Sequence, residues 1–232
     1  MSSYFTKPRF GARNVSRNRR FNGGRSSFYF KTTRRPGGRG ENIDINRFIK
    51  KTVDATSVPV EQIKHMFADF GFTPALSANL QKRNYSKPTP IQDQSIEHII
   101  NGKDIIGLAD TGTGKTAAFL LPLIDKVYRD RQEKVLIIAP TRELALQIDN
   151  ELREFARDMR IYSAVCVGGM PIYAQIHSLR RNPHFVIGTP GRLKDLNLRH
   201  QIRFEQFGNI VLDEVDRMLD MGFIDEIRNI LG

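Results

Sequence analysis

Eight consecutive residues, Ala109, Asp110, Thr111, Gly112, Thr113, Gly114, Lys115 and Thr116, hold the chemistry most readily read from this chain. They follow the apolar Ile105, Ile106 and Leu108 and precede Ala117, Ala118, Phe119, Leu120 and Leu121, the order of a strand, a glycine-bearing loop and a helix start. Gly112 and Gly114 free the backbone to turn several N–H groups inward at a helix N-terminus, where the helix dipole also favours an anion. Lys115 is placed to reach outer phosphates, and the Thr116 hydroxyl to ligate Mg2+. Ala109 stands where the fuller pattern carries a leading glycine. The expectation is a phosphate cradle.

A second cluster follows the apolar run Ile210, Val211 and Leu212: Asp213, Glu214, Val215 and Asp216. Three acids in four residues at the end of a buried strand are costly unless cations or donors face them. A Mg2+-nucleotide supplies that compensation. Asp213 would then hold Mg2+ through water and Glu214 would polarise the attacking water as general base, with Asp216 completing the acidic set.

The elements that must position these groups alternate. Short apolar runs at residues 105–109, 135–139, 163–167, 185–188 and 210–213 read as strands, and residues 116–129, 143–159, 172–180 and 224–231 as helices. Such alternation argues for an α/β fold with a parallel sheet covered by helices on both faces. Ligands of such sheets gather at the carboxyl ends of the strands.

Charge is distributed unevenly. The chain of 232 residues has 36 Lys and Arg against 25 Asp and Glu, a net charge of +11. Eleven of the cations fall in residues 1–40, which contain no acid, so the rest of the chain holds 25 basic and 25 acidic residues. Arg, Gly, Ser and Asn with scattered aromatic residues cannot bury a core, so residues 1–40 are expected to be a disordered arm. Arg and aromatic rings on such an arm suit RNA; a solvated tail or a targeting peptide is the alternative. Residues 41–66 read as a connecting arm, with Phe48, Ile49, Thr52 and Val53 on one helical face. The domain proper is expected over residues 67–232.

One cysteine, Cys166, excludes an internal disulfide and reads as a buried strand residue. The five histidines have no ligand spacing, and no apolar stretch reaches the roughly 20 residues of a membrane helix. The expected location is cytoplasmic, or nuclear in a eukaryotic source.

These motifs together resemble the N-terminal RecA-like domain of a DEAD-box ATP-dependent RNA helicase, over essentially residues 67–232. Lys87-Pro88-Thr89-Pro90-Ile91-Gln92 is similar to the family's Q motif, and Phe67, twenty-five residues before Gln92, matches its upstream aromatic. The resemblance implies that the Gln92 amide reads the adenine edge and Phe67 packs on the base. Tyr85 and Asn84 replace the common Phe and Gly. Thr141 and Arg142 lie in a match to motif Ia, Gly168 and Gly169 are the paired glycines, and Thr189, Pro190, Gly191 and Arg192 match motif Ib. The implied partner is RNA, held by its phosphates without base readout. The cofactors implied are ATP and Mg2+.

Motif II is Asp-Glu-Val-Asp rather than Asp-Glu-Ala-Asp, with a packing cost of roughly 1 to 3 kcal/mol expected at Val215 if the site is tight. By the same resemblance, Gly232 precedes the Ser-Ala-Thr motif and a second RecA-like domain with its arginine fingers. The strand leading to that motif would lie between the phosphate-loop strand and the motif II strand, so the sheet is expected to lack a central strand. An RNA-binding module with little ATPase of its own is the competing reading. A DNA helicase or a GTPase is weaker, because there is no Asn-Lys-x-Asp tetrad and Gln92 suits adenine.

Overall fold

The computed structural model describes residues 63–231. The basic arm and the helical face of Phe48, Ile49, Thr52 and Val53 lie outside the described residues. Four strands, β1 (Val135–Ile138), β2 (Ser163–Cys166), β3 (Phe185–Gly188) and β4 (Asn209–Leu212), form one parallel sheet in the order β2-β3-β1-β4. Val135 pairs with Phe185 on one side and Asn209 on the other, and Ser163 pairs with Phe185, so the carboxyl ends lie level.

Around the sheet run α1 (Pro74–Lys82), α2 (Pro90–Ile100), α3 (Lys115–Arg129), α4 (Arg142–Phe155), α5 (Ile172–Arg180), α6 (Pro190–Leu198), α7 (Val215–Asp220) and α8 (Ile224–Leu231). Alternate residues of β1 supply two cores, as the period of two of a strand requires. Val135 and Ile137 pack with Leu76, Ile96, Leu120, Ile124, Ile148 and Phe155. Leu136 and Ile138 pack on the other face with Cys166, Val186, Leu193, Met218 and Ile227. Burial pushes the Cys166 thiol up to about 12, against the opposing charge of Arg192, which leaves it an inert core residue.

Helices α1 and α2 have no counterpart among the expected elements. Pro74 and Pro90 look like breaks in the sequence, yet at the first helical turn a proline starts a helix. Helix α4 ends at Phe155 rather than 159, because the chain turns through positive φ at Asp158 (62°) and Arg160 (54°). The main correction concerns residues 105–109. They form no strand; Ile106 and Leu108 are 93% and 91% exposed. The physical reason lies at β4, which among the described residues pairs only with β1. Beyond β4 the described chain is helical, so no further strand bridges the open edge of β4 to the phosphate-loop segment. Among the described residues no helix is long and apolar enough to cross a membrane.

Candidate functional site

Gly114 and Lys115 open α3, and the loop before them turns through positive φ at Gly112 (82°) and Gly114 (93°). The Asp110 carbonyl accepts the Thr113 hydroxyl at 2.7 Å, and the Lys115 ammonium donates to the Ala109 carbonyl, closing the loop on itself. Thr111 and Gly112 are exposed, while Thr116 is half-buried at the helix start.

Gln92 joins this loop to α2. Its Oε1 accepts the Thr89 N–H at 2.9 Å and its Nε2 donates to the Gly114 carbonyl at 3.0 Å. An amide has two donor hydrogens and two acceptor lone pairs, so one of each is left for a ligand. The neighbouring Thr89 hydroxyl is buried without a partner among the described residues, a vacant polar group beside the loop. Lys87 is exposed. Phe67, in a 3-10 turn (Phe67–Phe70), is 5% exposed, with its ring centroid 5.8 Å from Tyr85 and 6.1 Å from Phe70.

Asp93, which no motif in the sequence singles out, holds the chain leading to Phe67. Its carboxylate accepts the Lys64 N–H (2.9 Å), the His65 N–H (3.1 Å) and contacts His65 Nδ1 (2.8 Å). Burial works to raise the Asp93 pKa, but these hydrogen bonds and the charge of His65 outweigh it and hold the carboxyl below its ordinary value. No local pattern announces this contact, because its partners lie 28 and 29 residues away.

At the end of β4, Asp213 is 9% exposed and its Oδ1 accepts the Glu214 N–H at 3.1 Å. Burial and then the Glu214 charge push the Asp213 carboxyl above its ordinary value, while the Lys115 ammonium pulls the other way. Glu214 has φ 52° and ψ 52°, and its Oε2 accepts from Arg217 Nη1 at 3.1 Å. Arg217, three residues on, is a partner that helical spacing could have revealed. Asp216 is exposed and its Oδ1 accepts the Arg217 N–H at 2.9 Å. Val215 is 36% exposed.

The raised Asp213 pKa has a stability consequence. A folded-state pKa above the unfolded one costs stability once the pH exceeds the raised value, and the cost disappears as the pH falls back to the ordinary carboxylate range. Without nucleotide, Asp213→Asn is therefore expected to raise the thermal midpoint at neutral pH. That gain should shrink as the pH falls through the raised pKa, as melting curves across pH 4 to 8 would record.

The remaining candidates line the carboxyl ends of β1, β2 and β3. Thr141 caps α4, its hydroxyl accepting the Leu144 N–H at 3.2 Å. The Arg142 guanidinium lies so close to Gly169, at φ 71°, that a Cβ there would collide with Nη1. Gly168 meets no atom within 4 Å of an added Cβ. Thr189 precedes Pro190 at the start of α6, and Gly191 is exposed. Arg192 is 15% exposed at its side chain; its Nη1 donates to the Met170 carbonyl at 3.4 Å and its Nε lies 3.9 Å from Asp195. Arg142 and Arg192 thus converge on the loop containing Gly169 and Met170.

A parallel sheet with a phosphate-type loop, a buried carboxylate and two arginines along its carboxyl edge defines an α/β domain of the RecA-like class. Residues 89–232 match the model of the DEAD/DEAH box helicases. The chain belongs to the DEAD/DEAH box helicase family. It is 43% identical over 166 residues to "ATP-dependent RNA helicase CshA" of Limosilactobacillus reuteri, covering 71% of this chain and 33% of that protein. It is 44% identical over 166 residues to "DEAD-box ATP-dependent RNA helicase CshA" of Bacillus cereus, covering 71% and 32%. The chain thus spans about a third of the length of the curated relatives it matches. Among solved structures, a DEAD box protein from Methanococcus jannaschii superposes with a TM-score of 0.68 at 36% identity, over 72% of this chain and 46% of that one. A hypothetical ATP-dependent RNA helicase from Sulfolobus tokodaii superposes at 0.63 and 36% identity, over 68% and 46%.

Proposed function

We propose that this chain carries the ATP-binding and RNA-gripping part of an ATP-dependent RNA helicase, with its domain over residues 67–232 and a cytoplasmic location. The observation that carries the reading is the hydrogen bond from Gln92 to the Gly114 carbonyl, which unites a base-reading amide and a phosphate loop in one site. The loop amides and Lys115 bind the phosphates, and the free donor and acceptor of Gln92 read adenine, with Phe67 supporting the base. Asp213 and Thr116 offer hard oxygen donors suited to Mg2+, and among the described residues no cage of three acids or histidines competes for it. When bound, Mg2+ neutralises charge on the phosphate oxygens. Glu214 accepts a proton from the attacking water, and Asp216 fixes the backbone at Arg217. Thr141, Arg142, Gly168, Gly169, Thr189, Pro190, Gly191 and Arg192 grip RNA phosphates.

The open edge of β4 and the exposed residues 105–109 favour a second reading for the chain by itself: it binds RNA and ATP but hydrolyses little. Arginine fingers supplied by a second RecA-like domain are worth on the order of 10^3 to 10^5 in rate. Both readings are tested by measuring ATP and GTP turnover, with and without RNA, for the chain alone and for the chain followed by a second RecA-like domain. RNA should stimulate ATP turnover in the two-domain protein and leave GTP untouched, and Lys115→Ala should abolish it. Equal use of GTP, or full activity in Lys115→Ala, would sink the reading.

A further inference from the structure

The amino ends of the strands, opposite the candidate site, bear a second chemically distinct surface. Lys134 precedes β1, Tyr162 precedes β2 and His184 precedes β3, and the backbone knits them together. The Val135 N–H donates to the His184 carbonyl at 2.8 Å, and the His184 N–H to the Tyr162 carbonyl at 3.0 Å. The Tyr162 N–H donates to His184 Nδ1 at 3.2 Å, which puts the imidazole proton on Nε2. The two rings stack, with centroids 6.0 Å apart and planes 22° from parallel. Tyr162 is nevertheless 59% exposed. It presents an aromatic surface already backed by a second ring.

Cations frame that platform and direct none of their charge at carboxylates. Arg131 donates to the Met159 carbonyl at 3.0 Å and the Arg160 carbonyl at 3.4 Å, with its guanidinium 4.7 Å from the Tyr128 ring centre. Lys134 donates to Asn182 at 2.5 Å and Gln206 at 3.3 Å. All of these acceptors are neutral. Arg160 and Arg181 are exposed and form no ion pair among the described residues. Of the nearby acids, Glu133 is held by Lys126 (3.3 Å) and Asn209 (2.8 Å), and Asp130 accepts the Gln132 N–H (2.9 Å). Exposed Asp130, Asp158 and Glu205 are local counter-charges, but none of them forms an ion pair with the four cations among the described residues. Two of the cations register at His184: burial first, then Arg131 and Lys134, hold its pKa below the ordinary value, so the imidazole stays neutral at physiological pH.

We propose that this rim, with Tyr162 backed by His184 and framed by Arg131, Lys134, Arg160 and Arg181, is a second binding surface for single-stranded RNA. A base stacks on the open face of Tyr162, and the cations take the flanking phosphates. Stacking on one ring needs an unpaired base, which a duplex does not offer. An acidic protein segment would use the cations and leave the ring unused, so the ring decides between the two partners. The surface needs no ATP, because no residue of it belongs to the nucleotide site. Its function is to hold the strand at a point remote from the catalytic edge.

The test uses the full chain without nucleotide and a fluorescent oligouridine. Tyr162→Ala should weaken binding roughly 5-fold or more, the value of one lost base stack, while Tyr162→Phe retains it. Charge reversal at Arg131 and Arg160 should also flatten the salt dependence. So that any RNA bound by the basic arm does not mask the site, it is read directly by photocrosslinking 4-thiouridine RNA and mapping the modified peptide. A crosslink at or beside Tyr162, lost on the double reversal, is the expected result. No crosslink there, or affinity lost on charge reversal but unmoved in Tyr162→Ala, would overturn the proposal; the second pattern describes a general anion surface. Tyr162 is exposed, so its variants should melt with the parent. Failure here leaves the ATP and GTP measurements untouched.

Discussion

Replacing Glu214 with Gln is expected to leave ATP and RNA bound while slowing hydrolysis by two to four orders of magnitude, the usual worth of a general base. Gln has the same length and can keep the backbone position, but it cannot accept a proton. The backbone is the unusual part. Glu214 occupies the left-handed region at φ 52° and ψ 52°, which for a residue with a side chain costs on the order of 1 to 3 kcal/mol. That conformation lets β4 end on buried Asp213 and then turn at once into α7, so consecutive carboxylates project from one bend. The Asp213 carboxylate fixes the Glu214 N–H at 3.1 Å, and Arg217 holds the Glu214 carboxylate at 3.1 Å. Arg217→Ala should therefore cost much less than Glu214→Gln, because it loosens the base without removing it. Turnover measured with saturating RNA in the two-domain protein decides the matter. A Gln variant within fivefold of the parent would remove Glu214 from the chemistry.

The candidate segments after the sheet strands are legible because each sits where a strand stops, and strands rich in Val and Ile announce themselves. The runs at Val135, Ser163, Phe185 and Asn209 became β1 to β4 with boundaries moved by a residue at most. The run at Ile105, Ile106 and Leu108 looks the same in composition, yet it makes no ladder. A strand is a relation between two segments, and apolar periodicity describes only one of them. Asp93 escaped notice for a related reason: a lone acid in the first turn of α2 reads as a helix-dipole residue, and only the fold brings Lys64 and His65 to it. Tyr162 and His184 are likewise separated by 22 residues and meet only because β2 and β3 are neighbours.

The phosphate loop hides a further distinction, which predicts unequal effects from two identical substitutions. Gly112→Ala and Gly114→Ala both force alanine into positive φ, at 82° and 93°, and both should lose about 1 to 2 kcal/mol of loop order, or roughly 5- to 30-fold in ATP affinity. At Gly112 nothing lies within 4 Å of the new Cβ, so the loss ends there. At Gly114 the Cβ collides with Gln92 Nε2 and comes to 3.3 Å from Gln92 Cδ and 3.1 Å from Thr89 Oγ1. Gln92 cannot retreat cheaply, being 3% exposed and tied at both ends of its amide. Gly114→Ala should therefore weaken ATP binding at least tenfold beyond Gly112→Ala and also reduce the preference for ATP over GTP. Gln92→Ala supplies the control. Shortening that side chain removes the obstacle, so in a double-mutant cycle the added cost of Gly114→Ala should largely vanish. Equal losses at the two glycines would mean that Gln92 and the phosphate loop are neighbours without being coupled. Unequal losses that collapse in the Gln92→Ala background would tie base recognition to phosphate binding through a single amide.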